Sequence, residues 1–278
     1  MSRTRILVSS GLGIASLAAL GVGGRLLLTR QAAIARRRIG KPLGEESIDA
    51  DRVWRRSLAG KPAELLLLGD SLAAGLGAER RKDTLGGRLS KGLARQLGRP
   101  VRLRTVAQVG SESSALATQL DSLPPGYRPD AAVIVVGGND VTHRVPIAES
   151  VAHLKAAIER LRQRGAVAIV GTCPDLGALR PVPQPLRTLG ARLSWQLAAA
   201  QAAAAADAGA VSVDLRRAVG PIFVDDPDGM FSLDRFHPSA LGYRRTAEAL
   251  LPALAELVRP TVGVPGQNVR DLAPGDDS

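Results

Sequence analysis

The sequence is poor in the residue types that build disulfides, metal sites and aromatic cores. It has one cysteine, Cys173, so no disulfide can form within the chain, and the cysteine count indicates no particular compartment. One thiol and three histidines argue against a Cys/His metal site. Aromatic residues make up 3% of the chain, so the core must consist mainly of Leu, Val, Ile and Ala.

Acidic residues are absent from the first 41 positions, which carry eight basic side chains. The remaining 237 residues hold 29 basic and 26 acidic side chains, so most of the net charge of +11 belongs to the N-terminal segment. A basic segment beside an apolar one favours anionic lipid over nucleic acid as the partner. We therefore expect a membrane contact through the N-terminal segment and no nucleic-acid partner.

Charged residues are also missing from Ile6–Gly24, a stretch of 19 residues. As a helix it would be about 28 Å long, close to the thickness of the bilayer core. Because Arg3 and Arg5 precede it, residues 1–30 are interpreted as a signal anchor that holds an exported domain in the cell envelope. A signal peptide cleaved near 31–35 would instead give a secreted protein. The positive-inside rule leaves open a domain that faces the cytoplasm.

The rest of the chain divides by composition. Residues 31–62 are basic and then polar, as is typical of a linker, and residues 63–258 are predicted to form one folded domain. Residues 259–278 are rich in Pro, Gly and Asp, which predicts a disordered tail.

Short apolar runs alternate with longer helical stretches within residues 63–258. The runs are Glu64–Leu68, Val101–Val106, Ala131–Val136, Ala166–Gly171 and Ala210–Val213, and the helical stretches lie near 84–97, 147–164, 186–208 and 239–258. Continuous apolar runs indicate strands that are covered on both faces. The pattern predicts an α/β three-layer sandwich with about five parallel strands and helices on both faces. The Ala- and Gln-rich part of one helix, Gln196–Ala208, carries no predicted chemistry.

A Gly-Asp-Ser sequence, Gly69–Ser71, follows the first of these strands. Ser71 would lie at the carboxyl end of the sheet and at the start of a helix, where the helix dipole favours developing negative charge. Two interpretations stay open for this segment alone: a nucleophile, or a serine that caps the helix.

A second polar group follows the strand at 131–136, in Gly137–Asp140. The Asn139 amide could point into the same crevice as Ser71 and donate a hydrogen bond to an oxyanion. The alternative is a simple turn, since Gly-Gly-Asn-Asp is typical turn chemistry.

A third group, Asp234 and His237, precedes the last helix. A carboxylate three residues before a histidine can hold one imidazole nitrogen, which leaves the other nitrogen free to accept a proton from a serine. The alternative is that both are ordinary loop residues. His143 follows the Gly137–Asp140 turn and could line a pocket, but no carboxylate lies at an obvious distance to orient it.

Together the three segments resemble the GDSL, or SGNH, hydrolase family. Its first block is matched by Gly69, Asp70 and Ser71 with Gly75 behind them. Its GxND block is matched by Gly137, Asn139 and Asp140, and its DxxH block by Asp234 and His237. The resemblance covers roughly residues 63–258 and implies a flavodoxin-like fold.

The resemblance also implies the catalytic roles. Ser71 would be the nucleophile, His237 the general base and acid, and Asp234 the residue that orients His237. The oxyanion hole would combine Asn139 with the backbone N–H groups of Ser71 and a glycine of the second block. In this sequence that glycine is assigned to Gly110, although a tight alignment to the strand would place the position on Glu112. The mechanism requires no metal and no organic cofactor.

The implied activity is hydrolysis of carboxylic esters with short, acetyl-like acyl chains on small molecules, glycans or lipids. The predicted pocket residues are Asp70, Val141, Thr142, His143 and Phe236. An acyltransferase of the same fold, which would pass the acyl group to a sugar or lipid, remains an alternative. A non-enzymatic binding domain is another, but such a domain would have no need of Ser71, Asp234 and His237 together. There is no G-x-S-x-G sequence, so the α/β-hydrolase elbow does not apply.

Overall fold

The computed structural model describes residues 23–258. The predicted apolar segment Ile6–Gly24 lies almost wholly outside the described residues, and the predicted tail 259–278 lies entirely outside them. Within 23–258, no helix is both long enough and apolar enough to cross a membrane.

Six strands form one sheet in the order β1-β3-β2-β4-β5-β6. Their bounds are β1 Val53–Trp54, β2 Ala63–Gly69, β3 Val101–Thr105, β4 Ala131–Val135, β5 Val167–Gly171 and β6 Val211–Val213. The last five strands are parallel, as the apolar runs predict, and β1 adds an antiparallel edge to β3. The predicted α/β sandwich is therefore confirmed, with one strand more than expected. That strand lies in the segment predicted to be a linker, where a two-residue strand leaves no apolar run to detect.

Helices cover both faces of the sheet. They are α1 over residues 23–39, α2 Ser71–Ala74, α3 Leu85–Leu97, α4 Leu116–Asp121, α5 Gly138–His143, α6 Ile147–Gln163, α7 Leu186–Asp207, α8 Leu215–Ala218, α9 Gly220–Asp225, α10 Pro227–Met230 and α11 Ala240–Val258. The four long helices predicted from the sequence correspond to α3, α6, α7 and α11. The short helices fall in loops, where the sequence shows no helical periodicity.

Strand β2 explains why the sheet is buried on both faces. Leu65 and Leu67 pack into one apolar cluster with α3 and α11, whereas Leu66 and Leu68 pack into another with α4 and α6. All four leucines have no exposed surface. Alternate side chains of a strand point to opposite faces, so a run of four leucines fills both layers at once.

The strand order reverses at β2 and β4, which are direct neighbours although β3 lies between them in the chain. In open α/β sheets, ligands bind beyond the carboxyl ends of the strands at such a switch point. The register pairs Gly69 with Val135 at the ends of the two strands. Consequently the Gly-Asp-Ser segment and the Gly137–Asp140 segment leave the sheet side by side.

Only glycine fits at the end of β2. A Cβ built on Gly69 would lie 1.8 Å from the carbonyl oxygen of Val135, and its φ of +128° is unfavourable for any other residue. The same carbonyl accepts a hydrogen bond from the Asp70 N–H at 3.0 Å. The two strands therefore touch through their backbones where the chain turns toward Ser71.

We expect Gly69→Ala to lower the free energy of unfolding by about 4 kcal/mol or more, since the methyl group would force β2 and β4 apart. Urea titration followed by circular dichroism measures this. Gly98→Ala is the matched control, because Gly98 also has a positive φ of +65° but has open space around its Cβ position. The control should cost about 1–2 kcal/mol. Equal losses in the two variants would contradict the importance of the contact.

Candidate active site

Ser71 is the first residue of α2, directly after β2, and is 8% exposed. The helix cap is Asp70, whose carboxylate accepts a hydrogen bond from the Leu72 N–H at 3.0 Å. Capping is thus performed by Asp70, and this leaves the Ser71 hydroxyl free for another partner. The short helix ends at Gly75, where a Cβ would lie 2.7 Å from the Cβ of Thr84.

The partner of the Ser71 hydroxyl is His237. The distance from Ser71 Oγ to His237 Nε2 is 2.9 Å, and His237 Nδ1 lies 2.5 Å from Asp234 Oδ2. The other carboxylate oxygen of Asp234 accepts from the backbone N–H groups of Phe236 and His237 at 3.0 and 2.9 Å. These hydrogen bonds fold the loop before α11 into a tight turn. Because of this turn, the Asp234 carboxylate contacts the imidazole of His237, three residues later in the chain.

The surroundings of Asp234 determine the charge of its carboxyl group. Burial raises the pKa of Asp234, but hydrogen bonds from the His237 ring and from the backbone outweigh burial, and the pKa lies below its usual value. Asp234 is therefore ionised at neutral pH and can only accept hydrogen bonds. The proton of neutral His237 must then lie on Nδ1. Its Nε2 lone pair faces the Ser71 hydroxyl, as a general base requires.

Asn139 lies in the first turn of α5, after β4. Its Nδ2 donates a hydrogen bond to the Ser111 carbonyl at 2.9 Å, and Asn139 lines the same cavity as Ser71 and His237. Gly137 makes this turn with a φ of +135°, and a Cβ built on it would lie 3.0 Å from the Cβ of Cys173. One amide hydrogen of Asn139 is thus held by the backbone of the loop that follows β3, which we call the β3 loop. The second amide hydrogen is left as a donor for a ligand.

Gly110 lies in the turn after β3, with a φ of +82° and an exposed backbone. The neighbouring Ser111 carbonyl is the acceptor for Asn139, and the Gln108 N–H donates to the Gly69 carbonyl at 3.1 Å. The β3 loop is therefore bonded to both the β2 turn and α5. The donation of the Gly110 N–H to an oxyanion stays a prediction, because these bonds come from its neighbours.

A cavity of about 80 Å³ opens beside Ser71. Its wall includes the polar residues Asp70, Ser71, Asn139, Asp175, His237 and Thr246, and the rest is mainly apolar. The apolar side chains come from the loops after β5 and β6, mainly Pro174, Leu176, Ala178, Leu179, Leu215, Val219 and Phe223. The chain contains three phenylalanines, and all three, Phe223, Phe231 and Phe236, line this cavity. The site therefore joins a polarised serine to a small apolar pocket.

The sequence and the fold resemble those of known proteins. The model of the GDSL-like Lipase/Acylhydrolase family matches residues 67–245. The chain belongs to this family. The GDSL-like esterase Rv1075c of Mycobacterium tuberculosis is 39% identical over 274 residues, which is 95% of this chain and 87% of that protein. The protein is accordingly a carboxylic ester hydrolase.

Solved structures share the fold. The lipase Lip_vut3 from a goat rumen metagenome has a TM-score of 0.56 and 19% identity, over 69% of this chain and 97% of the other. TesA has a TM-score of 0.53 and 25% identity, over 70% of this chain and 99% of the other. The acetyl xylan esterase AlAXEase has a TM-score of 0.54 and 19% identity, over 69% and 99% of the two chains.

Three predicted pocket residues of this GDSL-family protein lie away from the cavity wall. Val141 turns inward on α5 and packs against Cys173 and Leu197. Thr142 is exposed and donates to the Asn139 carbonyl at 3.2 Å. His143 is exposed, with Nδ1 2.6 Å from the Glu112 carboxylate, so it does have a carboxylate partner, from the β3 loop. The cause is that α5 is a helix, which turns successive residues to different sides. Asp70 and Phe236 do line the cavity.

Two buried glutamines hold the carboxyl ends of the strands, and the motifs of the sequence do not reveal them. Gln119 of α4 pairs with both backbone groups of Gly69, accepting at 2.9 Å and donating at 2.8 Å. Gln201 of α7 accepts from the Cys173 N–H at 2.7 Å and donates to the Val136 carbonyl at 2.9 Å. Within the Gln196–Ala208 segment, Gln201 therefore has a structural role. The sequence does carry one indication of these two glutamines: each is a polar residue on the apolar face of a helix, and a buried polar side chain needs a hydrogen-bond partner.

Asp70 is 6% exposed, and burial raises its pKa to about 6, although the Leu72 N–H and nearby His237 oppose the shift. Asp140 is also buried, but both of its carboxylate oxygens accept from the Ser113 N–H, at 3.2 and 3.1 Å. Asp140 thus ties α5 to the β3 loop. The raised pKa of Asp70 means that ionisation of its buried carboxyl group costs folding energy.

We expect Asp70 to destabilise the protein as pH rises from about 4 to about 6. An unfolded aspartate ionises near pH 3.9, whereas folded Asp70 keeps its proton to about pH 6. The folded state thus binds more protons over this range, and its stability must fall as pH increases. The quantity to compare is the difference between the unfolding free energies of wild type and Asp70→Asn. This difference should fall by roughly 2–3 kcal/mol as pH rises from about 4 to about 6.

Urea titrations at several pH values measure this difference, with Asp207→Asn as a control for the loss of one exposed carboxylate. A difference between wild type and Asp70→Asn that stays constant with pH would contradict the assignment.

Proposed function

We propose that the protein hydrolyses esters through a covalent acyl-enzyme on Ser71. His237 removes the proton of the Ser71 hydroxyl, and Ser71 Oγ attacks the ester carbonyl. His237 returns the proton to the departing alcohol as the C–O bond breaks. A water molecule, deprotonated by the same His237, then attacks the acyl-enzyme and releases the acid and free Ser71. Asp234 keeps the imidazole in the required tautomer and stabilises its cation.

The tetrahedral oxyanion is held by three donors in this proposal: the free amide hydrogen of Asn139 and the backbone N–H groups of Ser71 and Gly110. The Ser111–Asn139 bond supports this role, because a donor fixed in advance costs no reorganisation during the reaction. Loss of one oxyanion donor lowers kcat by about 10²–10³-fold in a well-studied serine protease.

Short acyl chains are the proposed substrates. The observation that carries this is the cavity of about 80 Å³ beside Ser71, which is far below the roughly 300–1,000 Å³ of pockets that enclose drug-sized ligands. Its apolar wall suits a hydrocarbon end, and its size suits a few carbons. The width of the pocket, more than the serine chemistry, would then set chain-length preference.

We expect kcat/KM to be highest on p-nitrophenyl esters of two to four carbons and to fall about tenfold or more for long chains. Across a series of two to sixteen carbons, Ser71→Ala should lose about 10³-fold or more on every ester. The Thr142→Ala variant, altered at an exposed residue outside the cavity, should behave as wild type. A preference for twelve or sixteen carbons would contradict the short-chain proposal, and full activity of Ser71→Ala would contradict the nucleophile.

We also propose that residues 1–30 anchor the esterase in the cell envelope. The 19 uncharged residues Ile6–Gly24 and the flanking arginines support this. We expect the full chain, expressed in a bacterium, to stay in the membrane fraction after an alkaline wash, and a variant without residues 1–22 to be released. A full chain found in the soluble fraction would contradict the anchor. A secreted form that lacks the first 30 residues would indicate a cleaved signal peptide.

A further inference from the structure

A second, wider cleft of about 520 Å³ lies next to the catalytic cavity, and three arginines line it: Arg38, Arg180 and Arg235. Phe231 belongs to the wall of both spaces. We refer to this space as the arginine cleft. One carboxylate, Asp228, also lines it, so the cleft carries a net charge of about +2.

The arginines come from three separate parts of the chain. Arg38 donates to the Pro181 carbonyl at 3.3 Å, and Arg180 donates to the Val224 carbonyl at 3.2 Å. Among residues 23–258, none of the three cleft arginines lies within 4.0 Å of a carboxylate, including that of Asp228. Backbone carbonyls therefore orient two of the guanidinium groups, and their charges are not neutralised by an ion pair.

One arginine of the cleft lies close in the chain to the catalytic histidine. Arg235 stands between Asp234 and Phe236 in the chain, two residues before His237. Because consecutive Cα atoms are 3.8 Å apart, its backbone lies within about 8 Å of that of His237. Arg235 thus connects the wall of the arginine cleft to the loop that carries Asp234 and His237.

The N-terminal helix α1 completes the cleft. Gln31 donates to the Gln184 carbonyl at 2.5 Å and accepts from the Leu186 N–H at 2.9 Å, which docks α1 on the loop before α7. This docking brings Arg38 beside Arg180. The match to the family model begins at residue 67, so Arg38 lies outside the matched part of the chain.

We propose that the arginine cleft binds an anionic group, a carboxylate or a phosphate, on the alcohol part of the ester. This inference rests on the proposed function. The narrow apolar cavity suits the acyl chain, which leaves the wide cationic cleft for the alcohol. Guanidinium groups bind carboxylates and phosphates through paired hydrogen bonds, and pre-oriented arginines lose less entropy on binding. The preferred substrates are thus short-chain esters of alcohols that carry negative charge.

The test compares three acetyl esters: 4-acetoxybenzoate, 4-acetoxyphenyl phosphate and the neutral methyl 4-acetoxybenzoate. The variants are Arg180→Gln, Arg38→Gln and their double substitution, with Arg180→Lys to retain charge. Arg95→Gln removes the same charge from an exposed position near the end of α3 that does not line the cleft. Each variant is compared with wild type on the same ester, so differences in leaving-group reactivity cancel.

We expect each Gln substitution to lower kcat/KM on the anionic esters by about 5–10-fold, mainly through KM, and to leave the neutral ester within about twofold. The double variant should lose more than either single variant, and Arg180→Lys should lose less than Arg180→Gln. Salt at about 0.5 M should reproduce part of the loss in wild type. The two anionic esters show whether carboxylate or phosphate is preferred. Equal losses on the neutral ester, or unchanged activity on both anionic esters, would overturn the proposal.

Binding to the Ser71→Ala protein separates this proposal from the proposed function. Calorimetry with 4-hydroxybenzoate and 4-hydroxyphenyl phosphate requires no hydrolysis. We expect at least one of the two anions to bind, and we expect Arg38→Gln and Arg180→Gln to weaken that binding while Arg95→Gln leaves it unchanged. This result would support anion binding in the arginine cleft even if no ester were hydrolysed. Absence of binding by both anions at millimolar concentration would overturn the proposal, whatever the esterase assays show.

Discussion

The active site depends on one backbone contact, between Gly69 at the end of β2 and Val135 at the end of β4. The two strands are adjacent although β3 lies between them in the chain, and at this point their backbones touch with no room for a side chain. The contact fixes where two segments leave the sheet. One carries Asp70 and Ser71, and the other carries Asn139. A nucleophile and an oxyanion donor thereby share one crevice without any direct bond between them.

Buried amides extend this constraint to the loops. Gln119 binds both backbone groups of Gly69, and Gln201 joins the loops after β4 and β5. Removal of Gln119 would take the partner from the Gly69 N–H, whereas the Gly69 carbonyl would keep its bond from the Gln108 N–H. Removal of Gln201 would take the partner from the Cys173 N–H and from the Val136 carbonyl. A buried backbone group without a partner costs about 1–3 kcal/mol. The polar site is thus supported by neutral side chains that leave the ionisable groups free for catalysis. The Asp140 carboxylate also ties α5 to the loop after β3, and Asp234 holds His237 within their own short loop.

The sequence predicts the sheet and the reactive residues far better than the pocket. Continuous apolar runs locate five strands because each run fills two layers, as Leu65–Leu68 do. Ser71, Asn139, Asp234 and His237 stand out because each follows a strand or precedes a helix in a known motif. The pocket walls are different. Leu179 and Val219 lie in loops and Phe223 lies in the short helix α9, and the path of these segments depends on packing. No local pattern shows that three dispersed phenylalanines meet there. Val141 and His143 were predicted to line the pocket but do not. They lie on the short helix α5, which the sequence does not predict and which directs their side chains away from the cavity.

Acylation of Ser71 can be tested directly from the mass of the protein quenched within milliseconds of mixing with p-nitrophenyl acetate. We expect a burst of p-nitrophenol and a mass gain of one acetyl group, located on the peptide that contains Ser71. His237→Ala should slow its formation, because Nε2 of His237 lies 2.9 Å from the Ser71 hydroxyl. Rapid steady hydrolysis by wild type with the acetyl group on another residue would contradict the account.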